Sequence, residues 1–326
     1  MAGASMSQVS TRRYNRSLIV TLTINPAIDH NVMADRLVFE DRAYILSTSD
    51  TAGGRGINAS CVIQSFGGRT LAIVTSGGQS GELLQKYMCG CGFRIEVVPI
   101  ANEIRTNLTI TDRQGLTVKL NHPGPSLSPA ELDRVEAAVE RKLEGASWLM
   151  ICGSVPPGVP PGFYSKLVRM AHQHGVKSLL DTDGEALIEG VESGPTVVAP
   201  NQQEAERLLN TALITRSHFL DAAARIRQMG PQSVILSLGS RGAIGVSERG
   251  TIEVVPPRVD AVCPIGAGDA LAAAFVWAMD NRSDFADALR WGVAAGSASA
   301  RLPGVTFASL AQTREIYPRV EVREAK

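Results

Sequence analysis

The chain of 326 residues has no excess of either charge: Lys plus Arg number 32, and so do Asp plus Glu. A zero balance removes any bulk electrostatic case for nucleic acid or an anionic membrane as partner, so an anion site must be built locally. Long apolar runs are missing as well. The longest, Ala270 to Met279, has ten residues and is too short to span a bilayer. The opening MAGASMSQVSTRRYNR has no apolar core of a secretory signal. It reads as a flexible tail over residues 1–17, with a basic transit peptide as the alternative. There are five cysteines, Cys61, Cys89, Cys91, Cys152 and Cys263. An odd count in a long chain fits a reduced, cytoplasmic protein better than a disulfide scaffold. Cys89-Gly-Cys91 has no second Cys/His pair at useful spacing, which argues against a structural zinc site. No GxxxxGK[ST] occurs, so there is no Walker A loop. No GxGxxG follows the first strand with an acid about twenty residues on, which counts against a dinucleotide-dependent oxidoreductase.

What is present is a rhythm of buried strand, loop and helix. LIVTLTI (18–24) reads as a buried strand, Ile57 to Phe66 as a helix stopped by Gly67-Gly68, and Leu71 to Thr75 as the next strand. The alternation predicts an α/β fold: a doubly wound, mainly parallel sheet with helices on both faces. Residues near 30–50 and 103–122 break it. Leu108 to Thr111 and Leu116 to Leu120 flank Asp112-Arg113-Gln114-Gly115 like a hairpin. These segments are expected to leave the main sheet as antiparallel strands of a small lid. No repeat or linker divides the chain, so residues 18–326 are expected to form one domain.

In such a sheet, ligands gather where strand C-termini meet helix N-termini. Gly266-Ala267-Gly268-Asp269 opens the apolar helix at 270–279. Its glycines allow close backbone approach, and unpaired N–H groups with the positive helix dipole make a cradle for phosphate. Asp269 fits two readings: a helix N-cap, or a base that takes a proton from an attacking hydroxyl. Gly53-Gly54-Arg55-Gly56-Ile57-Asn58 repeats the loop-to-helix pattern and adds a guanidinium suited to phosphate. Asn58 could bind sugar hydroxyls; a tight turn with a solvated Arg is the alternative. Asp29 is a polyol acceptor or an ordinary turn residue, and Ser154 a substrate contact or part of a rigid turn. Asn201 and Glu204, three apart at a helix start, are water holders around Mg²⁺ or simply a cap.

Together and in this order, TLTINPAID, GGRGIN, RTNLTI, GSVPPGVPPGFY, DTDGEAL, PNQQE, SLGSRGA, GAGDAL and VAAGSA resemble the ribokinase or PfkB family of carbohydrate kinases. The likeness runs from about Leu18 to Ile316 and is nearest to the branch that phosphorylates hexose phosphates. It implies a ribokinase-like domain of eight or nine strands whose β-sheet lid closes over the sugar and forms a homodimer contact. It implies ATP with Mg²⁺, and a ketohexose monophosphate as acceptor: fructose 1-phosphate, fructose 6-phosphate or tagatose 6-phosphate. Asp269 then matches the catalytic base, and Gly266, Ala267 and Gly268 the anion hole. Asp29, Gly53, Gly54 and Asn58 match sugar-binding positions. Arg105 matches a phosphate-contacting Arg, and Arg55 stands where the 1-phosphofructokinase branch usually has Lys; both are expected to clamp the existing phosphate, with Lys119 and Ser154 as further substrate candidates. Asn201 and Glu204 match an NxxE motif near Mg-ATP. Ser237, Gly239, Ala295 and Ser297 lie in segments that line the nucleotide. Cys263-Pro264 stands where relatives usually carry Ser or Thr and a small residue. That departure favours one rival, an idle sugar-phosphate-binding protein. The other rival is a kinase for an unphosphorylated sugar or nucleoside.

Overall fold

The computed structural model describes residues 17–160 and 162–325. Apart from Ser17, the expected N-terminal tail lies outside them. In chain order the first half holds β1 (Leu18–Thr23), β2 (Ala27–Ala34), β3 (Ile45–Gly53), α1 (Arg55–Ser65), β4 (Arg69–Ser76), α2 (Gly78–Cys89), β5 (Arg94–Pro99), β6 (Arg105–Asp112), β7 (Thr117–Leu120) and α3 (Pro129–Leu143). Then come β8 (Ala146–Cys152), α4 (Phe163–Gln173), β9 (Lys177–Asp181), α5 (Gly184–Glu192), β10 (Val197–Val198), α6 (Gln202–Leu209), α7 (Arg216–Gln228) and β11 (Ser233–Ser237). The chain closes with β12 (Ala243–Ser247), β13 (Gly250–Val255), α8 (Ala267–Asp280), α9 (Phe285–Ser299), α10 (Leu310–Ile316) and β14 (Glu321–Glu324).

The main sheet has the order β14-β13-β12-β11-β10-β9-β8-β1-β4-β5. From β5 to β11 every pair is parallel; β12, β13 and β14 add antiparallel edge strands. Strand pleating sends alternate side chains to opposite faces. Trp148 and Met150 of β8 therefore join one core with α1, α8 and α9, while Leu149 and Ile151 join another with α3, α4 and α7. The α3 start follows from its residues: Ser128 and Glu131 form a reciprocal capping box, and Pro129 occupies the first turn. Helix α8 is apolar on nearly all sides because the sheet, α1 and α9 enclose it. On α9, a Cβ at Gly292 or Gly296 would stand 2.8 Å from the carbonyl oxygen of Leu271 or Ala267. Those two glycines let the helices cross closely and fix where α8 begins.

The doubly wound, mainly parallel sheet with a separate small sheet is as expected from the alternation. Three details differ. The small sheet, in the order β3-β2-β6-β7, is mixed: β2 pairs antiparallel with β3 but parallel with β6. Its first strand begins at Ala27, shortly after β1 ends at Thr23, so the small sheet leaves the main sheet at the carboxyl end of β1. Strands β5 and β14 and helix α10 were not foreseen, and the main sheet has ten strands rather than eight or nine. Among the described residues, no helix is long and apolar enough to cross a membrane.

Candidate active site

Strand β1 lies between β8 and β4, so the chain winds outward in both directions from it. A crevice is expected at the carboxyl ends beside such a switch point. Two cavities occur there. One, of about 210 Å³, is lined by residues after β1, β8 and β9 and by the lid, including Asn25, Asp29, Arg105, Asn107, Ser154 and Asp183. The other, of about 430 Å³, is lined by residues after β10 and β11 and by the α8 start, including Asn201, Glu204, Ser237, Gly266 and Gly268. Arg55, Lys119, Asn121, Ile265 and Asp269 line both. The cavities are the two ends of one trough, and Asp269 stands at their junction.

The α8 start answers the two readings of Asp269. Gly266 is the N-cap, in the left-handed region at φ 80, with no side-chain cap bond. Asp269 sits one turn in, and its Oδ2 accepts from Asn58 Nδ2 at 2.7 Å. Its carboxyl is pushed up to about 7, first by burial and then by Asp181, against the opposing pull of Arg55, Asn58 and Lys119. Ala267 N–H turns back to the Pro264 carbonyl at 3.2 Å. The amides of Gly268 and Asp269 have no backbone acceptor among the described residues. The Gly268 and Asp269 amides are thus left without a backbone partner, whereas the Ala267 donor is taken up by the turn at Pro264. A Cβ at Gly268 would meet nothing within 4 Å, so that position opens onto the trough. Cys263 donates its N–H to the Ala300 carbonyl at 3.0 Å, so the unusual Cys263-Pro264 pair still closes the loop.

The smaller cavity is polar and partly unsatisfied. Asp29 Oδ1 accepts from Asn107 Nδ2 at 2.9 Å. Burial raises the Asp29 carboxyl, opposed by Asn107, Arg105 and Lys119. A Cβ on Gly53 would fall on that carboxylate, which explains the glycine. Gly54, at φ 141, is a conformation other residues avoid, and its Cβ would press on Thr23 Cγ2 at 2.7 Å. Asn25 Nδ2 reaches Ser154 Oγ at 3.3 Å. Arg105 donates from Nη1 to the His122 carbonyl and from Nη2 to the Asn25 carbonyl, both at 2.9 Å. Arg105 Nε, Asn25 Oδ1 and Thr23 Oγ1 are buried with no hydrogen-bond partner among the described residues. These atoms are closed off from the cavity itself, and an unpaired buried polar group costs about 1–3 kcal/mol.

Arg55 departs from the expectation. Its Nη1 meets Asp181 Oδ1 at 2.7 Å, and its Nη2 meets Asp183 Oδ2 at 2.9 Å and Glu204 Oε1 at 3.0 Å. Burial works against its charge, but the surrounding carboxylates hold its pKa well above the usual value. A guanidinium satisfied by three carboxylates is not a free phosphate clamp. It braces α1 against β9 and α6. Glu204 in turn closes a capping box: its Oε2 accepts from Asn201 N at 2.8 Å, and Asn201 Oδ1 accepts from Glu204 N at 3.0 Å. Among the described residues, the cations that line this cavity without a salt bridge are Lys119 and Arg105, the latter bound through both Nη atoms to backbone carbonyls.

The trough thus brings together Asp29, Gly54, Arg55, Asn58, Arg105, Lys119, Ser154, Asn201, Glu204, Ser237, Gly266, Gly268 and Asp269. Gly53 lies against Asp29. Ala295 does not take part: it is buried in the α8–α9 core. Gly239 and Ser297 also lie outside the residues that line either cavity. Sequence reasoning gave no role to Asp181, Asp183, Asn107 or Gly296. DTDG after a strand was the available signal for the first two, and the four-residue spacing of Gly292 and Gly296 for the last.

A carboxylate shared between two basins, beside two free helix-start amides, belongs to an enzyme that moves a charged group from one bound partner to another. The chain belongs to the pfkB family of carbohydrate kinases, whose model matches residues 17–312, and it is a phosphotransferase acting on an alcohol. It is 32% identical over 302 residues to ATP-dependent 6-phosphofructokinase isozyme 2 of Escherichia coli (strain K12), covering 92% of this chain and 97% of that one. It is 30% identical over 284 residues to 1-phosphofructokinase of Borreliella burgdorferi, covering 87% and 92%. The crystal structure of phosphofructokinase-2 from Escherichia coli in complex with fructose-6-phosphate aligns at TM-score 0.84 and 32% identity, over 93% of this chain and 99% of that one. Arabidopsis thaliana ribokinase shares the fold at TM-score 0.76 and 21% identity, over 93% and 99%.

Proposed function

We propose that the chain transfers the γ-phosphoryl group of ATP to a hydroxyl of a ketohexose monophosphate, with Asp269 as general base. The observation that carries this reading is the position of Asp269, lining both cavities at once. The acceptor class is supported by the relatives, an ATP-dependent 6-phosphofructokinase and a 1-phosphofructokinase. Asp29 and Asn107 hold sugar hydroxyls. Arg105 and Lys119 supply the charge for the phosphate already on the sugar. The Asp269 carboxylate takes the acceptor proton as the phosphoryl group arrives, and the Gly268 and Asp269 amides offset the charge spreading over its oxygens.

Mg²⁺ fits the nucleotide end. Asp181, Glu204 and Asp269 line that end, yet among the described residues no cluster of three or more His, Cys, Asp or Glu is arranged to hold a metal ion. That suits an ion that keeps its waters and takes phosphate oxygens as ligands. Asn201 and Glu204 would hold those waters, and the bound ion would neutralise phosphate charge.

Saturation of Arg55 by carboxylates favours a second reading, a kinase for an unphosphorylated sugar, because it leaves two cations rather than three. A coupled assay with fructose 1-phosphate, fructose 6-phosphate, tagatose 6-phosphate, fructose and ribose separates the two. One ketohexose phosphate should exceed fructose in kcat/KM by about 10²-fold, the scale of one or two charge-assisted hydrogen bonds. Preference for an unphosphorylated sugar retires the first reading.

The lid is also our candidate for a homodimer contact. Tyr44, Ile45, Leu46, Val118 and Leu120 leave apolar surface exposed on it. Sedimentation at micromolar concentration should show a dimer, and Ile45→Asp a monomer. A wild-type monomer removes the contact.

A further inference from the structure

A second chemical site lies under α1, away from the trough. Cys61 Sγ and Cys91 Sγ are 4.0 Å apart. Cys61 faces out from α1, and Cys91 sits in the turn between α2 and β5. The two cysteines are 30 residues apart in sequence, and each is part-buried rather than sealed. The same turn passes close to α1 at Gly92, where an added Cβ would stand 3.5 Å from Gln64 Nε2. The turn is compliant, because Gly90 and Gly92 flank Cys91 and a Cβ on Gly90 would meet nothing within 4 Å. Closing the pair to a disulfide needs about 2 Å of approach.

We propose that Cys61 and Cys91 form an oxidisable dithiol that a hydroperoxide closes to a disulfide, and that closure restrains α1 and slows phosphoryl transfer. The Cys91 thiolate attacks the distal peroxide oxygen. The O–O bond breaks, water or an alcohol leaves, and Cys91 becomes a sulfenic acid. The Cys61 sulfur then attacks the Cys91 sulfur, the S–O bond breaks, and hydroxide leaves with the Cys61 proton as water. Two thiols lose two electrons and one peroxide gains them. The two thiols are not equivalent. The contact with Cys61 draws the Cys91 thiol down to about 7 against its own bond to the Tyr87 carbonyl at 3.7 Å, while Cys61 is held above its usual range by the same contact and by burial. The effect on turnover follows from α1. Asn58 lies one helical turn from Cys61 and bonds Asp269 at 2.7 Å, so a restraint on α1 reaches that contact.

The test treats the full-length enzyme with hydrogen peroxide and reads intact mass, peptide mapping and turnover together. We expect a loss of 2 Da, a Cys61–Cys91 linked peptide and a several-fold fall in kcat, all reversed by dithiothreitol. Cys91→Ser should keep normal basal activity and lose the whole response, whereas Cys89→Ser should respond like the wild type. The mass readout does not depend on which acceptor the enzyme uses, so it stands apart from the assignment of substrate. Linkage through exposed Cys89, a sulfinic acid on Cys91 without a cross-link, or full cross-linking with unchanged kcat would each overturn the proposal.

Discussion

Asp269→Asn should lower kcat by about 10²-fold or more while leaving sugar affinity nearly intact. The magnitude is that of positioned general-base catalysis. The substitution keeps shape and can still bond Asn58, which now donates to Asp269 Oδ2 at 2.7 Å. It removes only the proton acceptor, since the amides of Gly268 and residue 269 remain free to meet the phosphoryl group. Single-turnover assays separate chemistry from product release, and calorimetric titration with the sugar phosphate checks affinity. A variant that turns over at more than a tenth of the wild-type rate strips Asp269 of its role.

The same carboxyl gives the enzyme a pH signature. Burial and Asp181 raise it to about 7, so the base is half protonated near neutrality in the free enzyme. The wild-type kcat/KM should therefore climb through pH 7 and level off above it, and that limb should vanish from the residual activity of Asp269→Asn. Stability should move the other way. A carboxyl whose folded value lies above its unfolded value binds more protons when folded, so it weakens the fold as pH rises from about 4 to 7. Removing it should raise Tm at pH 8 and leave Tm unchanged at pH 4. The residue proposed as the base is thus one the fold would be more stable without.

Much of this was legible in the sequence because it is local. The run LIVTLT, short and rich in β-branched residues, reads as a buried strand, and the glycines before the apolar helix mark its exposed N-terminal amides. The Asp29, Gly53 and Gly54 grouping was likewise legible, since each is adjacent to a strand or helix end. The parallel pairing of β2 with β6 was not, because it joins segments nearly eighty residues apart whose own patterns fit either direction. Strand β14, Glu-Val-Arg-Glu, carries no buried face of its own and is defined only by the edge of β13. The fate of Arg55 was hidden for the same reason. Its loop motif shows a free guanidinium, but its partners arrive from positions 126, 128 and 149 residues away.

Arg55→Ala should be the most destabilising single change at the site, by about 3 kcal/mol or more. Breaking a multiply paired, largely buried ion cluster leaves its partners charged and unmatched, and that costs more than the pairing itself is worth. Asp181 and Glu204 are both buried, at 7% and 5% exposure, so water entering from the trough replaces the guanidinium only in part. Glu204, already held above its ordinary value by burial, loses the charge that opposes this shift. Ionising it then costs more as pH rises, so the Tm deficit against wild type should be larger at pH 8 than at pH 5. An equal deficit at both values excludes unpaired carboxylates as the cause. Arg55→Lys is the sharper test of role. One ammonium cannot reach three carboxylates, so it should recover only part of the lost Tm. As a brace, Arg55 should shift KM for fructose and for its phosphates together when replaced by Lys. Lys119→Ala should instead raise KM for the phosphorylated sugars alone. If Arg55→Lys selectively weakens the phosphorylated substrates, the guanidinium leaves its carboxylates during turnover and reads the phosphate directly.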